Sequence, residues 1–176
     1  GTTEIAVIAL SGIVTDQSLR VAGDDFTYDI IEHVKRQHNI LIGERTAEQI
    51  KIHVGAAIQE LDNPPEDFPV HGRDLLTGIP KQVIVTYVEI AAALDKSISK
   101  IEEGIMKALE STPPELASDI YQKGLYLTGG GALLRGLDKR ISLKTKLPVQ
   151  VAEDPLRAVV RGTGLALKNR HKYTFL

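Results

Sequence analysis

The sequence predicts an α/β fold, and three patterns carry the prediction. A strand run and its hairpin partner open the chain, a long apolar stripe at helical spacing crosses its middle, and short strands alternate with helices through its last third. With 176 residues, 43% hydrophobic and 25% charged, the chain suffices for one large domain or two small packed ones.

Ile5 to Leu10 is an unbroken apolar run that reads as a buried strand; Ser11-Gly12 is a tight turn and Ile13 to Leu19 the returning strand. Val21 to Asp25 breaks the pattern. From Thr27 to His38, Ile30, Ile31 and Val34 fall at helical spacing, with Lys35 and Arg36 where a helix C-terminus favours cations. Gly43 reads as a stop or turn. Thr46-Ala47-Glu48-Gln49 has the capping-box form and starts a helix faced by Ile50, Val54 and Ile58. Leu61 to Asp67, Pro-rich and acidic, is a loop, and Phe68–Arg73 and Lys81–Val85 are strands joined through Thr77-Gly78.

Thr86-Tyr87-Val88-Glu89 is a second capping box. It opens a helix to about Glu110, along which Val88, Ala91, Leu94, Ile98, Ile101, Ile105 and Leu109 form one stripe. Thr112-Pro113-Pro114-Glu115 starts a short helix with Pro113 in its first turn. A short strand, Leu125 to Thr128, runs into Gly129-Gly130-Gly131; a helix with Leu133, Leu134, Leu137 and Ile141 follows, then a strand around Val149–Val151. Asp154-Pro155 caps a last helix containing Val159, Val160 and Leu165. Residues 1–25 and 96–176 are expected to share a core sheet and its helices, with 26–95 as a smaller inserted lobe.

Composition removes several classes of function. A net charge of −2 offers no Lys/Arg excess to neutralise nucleic-acid phosphates. The absence of cysteine excludes disulfides, thiolate chemistry and cysteine-ligated zinc. No apolar run approaches a membrane span, and the abrupt start at Gly1-Thr2-Thr3-Glu4 reads as a cut inside a larger chain. His33, His38, His53, His71 and His171 show no metal-ligand spacing, so no metal site is expected. The pairs Asp24/Asp25, Glu66/Asp67 and Glu102/Glu103 read as loop or solvated charges.

Gly129-Gly130-Gly131 is the most informative local feature. Glycines between strand and helix let backbone approach a ligand, and a helix N-terminus presents unpaired N–H groups. The alternative is a turn that merely needs positive φ. The run lacks the third glycine of a dinucleotide fingerprint, and no Gly-Lys-Ser/Thr phosphate loop exists. Gly1-Thr2-Thr3-Glu4, before a hairpin, is a second and weaker candidate: hydroxyls and turn N–H groups suit phosphate, and Glu4 could orient water.

Together these residues resemble a known family. Gly1-Thr2-Thr3-Glu4-Ile5-Ala6-Val7-Ile8 is similar to the end of the second phosphate motif of bacterial actins, and Leu127 to Leu137 to their adenosine motif. Leu41 to Glu48, Thr112 to Ile120 and Val151 to Leu156 resemble the MreB family specifically, and the match covers nearly the whole chain. The resemblance implies an actin/Hsp70/sugar-kinase-type (ribonuclease H-like) half, subdomains IIA (1–25 and 96–176) and IIB (26–95), of an ATP- and Mg2+-dependent cytoskeletal protein. Such proteins polymerise into filaments and guide cell-wall synthesis and rod shape.

By resemblance, Gly1 touches the β/γ-phosphates, and Thr2 and Glu4 lie near the attacking water. Gly23 and Asp24 lie near the phosphates, and Ala47, Glu48, Gln49 and Ile50 near adenine and ribose. Gly129, Gly130, Gly131, Ala132 and Leu133 support the nucleotide through backbone. The implied partners are further copies of the protein, an adaptor resembling RodZ and the cell-wall elongation machinery. The implied location is the cytoplasmic face of the cell membrane, reached through the other half or a partner. The chain alone is expected to bind ATP weakly and not to turn it over. Another actin-superfamily ATPase, Hsp70-like or a sugar kinase, and a nucleotide-free interaction module are the alternatives.

Overall fold

The computed structural model describes residues 1–9 and 12–169. Leu10 and Ser11, assigned above to the first strand and its turn, and His171 lie outside the described residues. In chain order the elements are β1 (Thr3–Ala9), β2 (Gly12–Leu19), α1 (Gly23–His38), β3 (Ile40–Leu41), α2 (Glu44–Val54), β4 (Phe68–Asp74), β5 (Pro80–Val85), α3 (Tyr87–Glu110), α4 (Ala117–Lys123), β6 (Leu125–Leu127), α5 (Leu137–Thr145), β7 (Val149–Val151) and α6 (Pro155–Lys168). They pack as two compact units. One holds Gly1, Val21–Ser99 and Leu134–Leu137; the other holds Thr2–Arg20, Lys100–Leu133 and the chain from Asp138 onward.

The first unit is built on an antiparallel sheet of order β3-β4-β5, with Phe68 opposite Val85 and Ile40 opposite Asp74. Asp74 makes the β4–β5 turn. Its Oδ1 accepts the Leu76 and Thr77 N–H groups, both at 2.9 Å. Those bonds, Thr77 first and then Leu76, hold its carboxyl below the usual carboxylate range. Fully buried Ile30 and Val34 of α1, Ala47, Ile50 and Val54 of α2, Val85 of β5, and Ile90, Leu94 and Ile98 of α3 form the core.

Helix starts obey local chemistry, twice at a different residue from the one expected. α1 begins at Gly23, earlier than Thr27, because the Asp25 carboxylate accepts the Ala22 N–H at 2.8 Å and Asp24 and Asp25 place negative charge in the first turn. Gly43 is the N-cap of α2, not a stop, so Thr46 already lies inside the helix and its expected capping box does not form. The box at Thr86 and Glu89 does form: Glu89 Oε1 accepts the Thr86 N–H at 2.6 Å, and Thr86 Oγ1 accepts the Glu89 N–H at 3.3 Å. Of the α3 stripe, Ala91, Leu94, Ile98, Ile101 and Ile105 are buried as expected, but Val88 at its start is exposed.

The second unit contains the antiparallel hairpin β1–β2, bulged between Val7 and Ile8, and the parallel pair β6–β7. Among the described residues these are separate two-stranded sheets, because the three-residue strands β6 and β7 bond only to each other. β1 is not buried on both faces: it alternates, and Ile8 is 68% exposed. The Pro113-Pro114 segment first makes a 3-10 turn, Pro114–Leu116, with Pro113 at its N-cap, and only then α4. Asp154 precedes α6 with Pro155 in the first helical position, but its side chain caps nothing and pairs with Arg161 at 3.2 Å. Val159, Val160 and Leu165 on α6 are exposed.

Candidate functional site

In the first unit, the starts of α1 and α2 border a cleft of about 360 Å³ lined by Asp24, Thr27, Tyr28, Ile31, Glu44, Arg45 and Glu48. Two of these residues, Thr27 and Glu48, belong to a hydrogen-bonded cluster with Lys51. Lys51 Nζ donates to the Gly23 carbonyl at 2.9 Å and to Thr27 Oγ1 at 3.0 Å, and pairs with Glu48 Oε2 at 2.7 Å. Thr27 Oγ1 lies 3.1 Å from the same Glu48 oxygen. The ammonium is thus committed to orienting Glu48 and the first turn of α1. Three carboxylates (Asp24, Glu44, Glu48) against one guanidinium (Arg45) disfavour a phosphate at the cleft wall, whereas carboxylates accept sugar hydroxyls well and Tyr28 and Ile31 offer apolar surface.

The structure distributes the Ala47–Ile50 segment over three environments. Ala47 and Ile50 are fully buried and anchor α2 in the core, so a ligand in the cleft meets the Glu48 side chain and not theirs. Gln49 lines a different opening of about 260 Å³ with Arg45, Thr46, Phe68, Pro69, Val70 and His71. Thr27, Tyr28, Arg45 and Lys51 were not anticipated from sequence. The usable signal is that Gly23/Thr27 and Glu48/Lys51 sit one turn apart on two adjacent helices.

In the second unit, Glu4 lies on β1 with Oε1 accepting the Ser18 hydroxyl of β2 at 2.7 Å, and Thr2 is exposed just before the strand. The glycine run follows β6, but no α-helix starts there. Gly130–Leu133 is a 3-10 turn, and α5 begins only at Leu137, so the expected helix N-terminus with its aligned N–H groups is absent at this point. The turn is fixed by the Gly129 N–H bonding the Pro155 carbonyl at 2.7 Å. Gly129 has φ +81°, a conformation that disfavours any side chain. Gly131 is different: its φ is not in that region, and a Cβ there would meet nothing within 4 Å. Ala132 is buried while Leu133 is 55% exposed. Neither crowding within the chain nor backbone conformation accounts for a glycine at 131.

The alternation of elements and the glycine turn after a parallel strand belong to the actin-type α/β class. The MamK double helical filament structure matches over 93% of this chain and 51% of that chain with a TM-score of 0.73 at 23% identity, a likeness of fold. More specifically, the chain belongs to the MreB/Mbl family, whose model, described as MreB/Mbl protein, matches residues 1–174. It is 48% identical to the cell shape-determining protein MreB of Escherichia coli K12, over 96% of this chain and 48% of that protein. It is 44% identical to the cell shape-determining protein Mbl of Bacillus subtilis 168, over 98% and 51%. The crystal structure of MreB5 of Spiroplasma citri bound to AMPPNP matches with a TM-score of 0.92 at 38% identity, over 98% of this chain and 51% of that one. The chain therefore spans about half the length of the curated relatives it matches.

Proposed function

We propose that this chain is the nucleotide-binding half of an ATP-dependent, filament-forming protein that directs cell-wall synthesis and rod shape. The observation that carries the proposal is Gly131, a glycine with open space where its side chain would be, in a chain whose MreB5 relative is described bound to AMPPNP. In the second unit, backbone at Gly129–Leu133 is suited to support a nucleotide. Magnesium keeps most of its waters and takes one or two carboxylates beside the phosphates. Following the resemblance, we assign Thr2 and Glu4 to the attacking water. When bound, ATP supplies the phosphoryl group whose hydrolysis switches the filament.

A titration with a fluorescent ATP analogue, on protein of the relatives' full length, tests this reading. Gly131→Val is expected to weaken binding by about tenfold or more, roughly 1.4 kcal/mol, with an unchanged melting curve. Equal affinity in the folded variant would assign the glycines to the turn alone.

For assembly we propose self-association into filaments and an adaptor resembling RodZ, with recruitment to the inner membrane face through that adaptor or the other half. Among the described residues no helix is long and apolar enough to cross a membrane. Co-sedimentation of the chain with anionic liposomes should leave it in the supernatant; pelleting that is lost at high salt would place a basic lipid contact on this half.

A further inference from the structure

We propose that His33, His38 and Glu89 form a binding site for a divalent transition cation of the zinc class, clamping the end of α1 to the start of α3. Sequence spacing gave no reason to group these residues; the fold brings them together. Glu89 Oε2 lies 2.8 Å from His38 Nε2 and 3.2 Å from His33 Nε2, and all three candidate ligand atoms fall within 4.8 Å of one another.

That spacing fits one metal ion. Zinc bonds of about 2.0–2.2 Å to imidazole nitrogen and carboxylate oxygen, arranged tetrahedrally, put neighbouring ligand atoms about 3.3 Å apart. A cation at the centre of the three would thus need only small side-chain adjustments. Two imidazoles and a carboxylate are the donor set that zinc accepts with water in a fourth position. Burial provides both the shell and the opening: the His33 side chain is 9% exposed, those of His38 and Glu89 21%.

The carboxylate is also held from behind. Glu89 Oε1 is engaged by the Thr86 N–H of the capping box, which leaves Oε2 aimed at the two imidazoles. Such an outer contact is how metal sites fix the direction of a ligand oxygen. His38 reaches the same point because it ends α1, with Asn39 in the left-handed conformation (φ 61°) turning the chain just after it. Without a cation the two Nε2 atoms can donate their hydrogens to Oε2; with one they exchange those hydrogens for the metal, and the pairs become ligands.

The experiment titrates Zn2+ alone into the purified 176-residue chain by calorimetry and repeats it with Co2+, following the visible absorption of four-coordinate cobalt. The wild-type chain is expected to bind one ion, with a rise in melting temperature. Glu89→Gln, which retains a capping-box residue at the helix start, and His38→Ala are each expected to weaken binding by about tenfold or more. His71→Ala, remote in sequence and hydrogen-bonded to Gln82, should leave it unchanged. No binding by the wild type, or binding that survives both Glu89→Gln and His38→Ala, overturns the proposal and leaves a hydrogen-bonded triad that ties two helices.

Discussion

Gly124→Val should destabilise the chain by about 2–6 kcal/mol, a large part of the roughly 5–15 kcal/mol that holds an ordinary domain folded. Gly124 follows α4 at φ 72° and ψ −155°, a region open essentially to glycine alone. Occupying it with another residue costs about 1–3 kcal/mol in backbone strain. A Cβ at this position would also lie 2.0 Å from the Pro148 carbonyl oxygen and 2.8 Å from its carbon. The obstacle is backbone, so no side chain can swing aside; overpacking adds about 1–3 kcal/mol.

The same carbonyl accepts the Leu125 N–H at 2.8 Å, and Leu125 opposite Val149 is the first pair of the β6–β7 ladder. Pushing Pro148 away therefore unpairs a sheet that has three residues per strand. Urea unfolding followed by circular dichroism measures the loss. A midpoint shift worth less than about 1 kcal/mol would show that the turn relaxes at little cost.

The parts of the fold that were legible in sequence are those governed by neighbours along the chain. The Thr86/Glu89 box and the stripe from Ala91 to Ile105 needed only a helical period and a cap, and both are present. The start of α2 was displaced because an extended Gly43 supplies the N-cap, a choice that the capping-box pattern at Thr46 does not encode. α6 shows the converse limit. Its amphipathic spacing marks Val159, Val160 and Leu165 as one apolar set, yet Val160 is 76% exposed, since periodicity identifies an apolar face without saying what covers it.

The candidate site divides along the same line. The glycine run was visible as a local motif, whereas Asp24 read locally as a loop or solvated charge and was singled out only by the resemblance. Lys51, which orients Glu48 by bonding back to Gly23 and Thr27, joins two helices and was not. His33 and His38 sit five residues apart, a spacing that matches no metal motif, and they meet only because Glu89 arrives from α3 more than fifty residues later.

Arg140→Met should cost about 3–5 kcal/mol, because it strands a carboxylate in a site built for an ion pair. Glu102 on α3 and Arg140 on α5 form a two-pronged bridge. Arg140 Nε donates to Oε1 at 2.9 Å and an Nη to Oε2 at 3.2 Å, with side chains 15% and 10% exposed for Arg140 and Glu102. The sequence reading placed Glu102 on a solvated face beside Glu103; the structure corrects this, since Glu102 lies on the buried side of α3 close to Ile101 and Ile105 in the helical register.

A methionine matches the length of arginine's aliphatic stem but offers no donor, so both Glu102 oxygens lose these partners in a place where water reaches poorly. The net worth of the intact pair is far smaller, because desolvating both charges offsets most of their attraction. The two quantities separate in a double-mutant cycle. Glu102→Leu with Arg140→Met should return to within about 1 kcal/mol of wild type, or exceed it, although Arg140→Met alone is strongly destabilised. If Arg140→Met unfolds at the wild-type denaturant midpoint, Glu102 is solvated in solution and the bridge is a surface pair of little consequence.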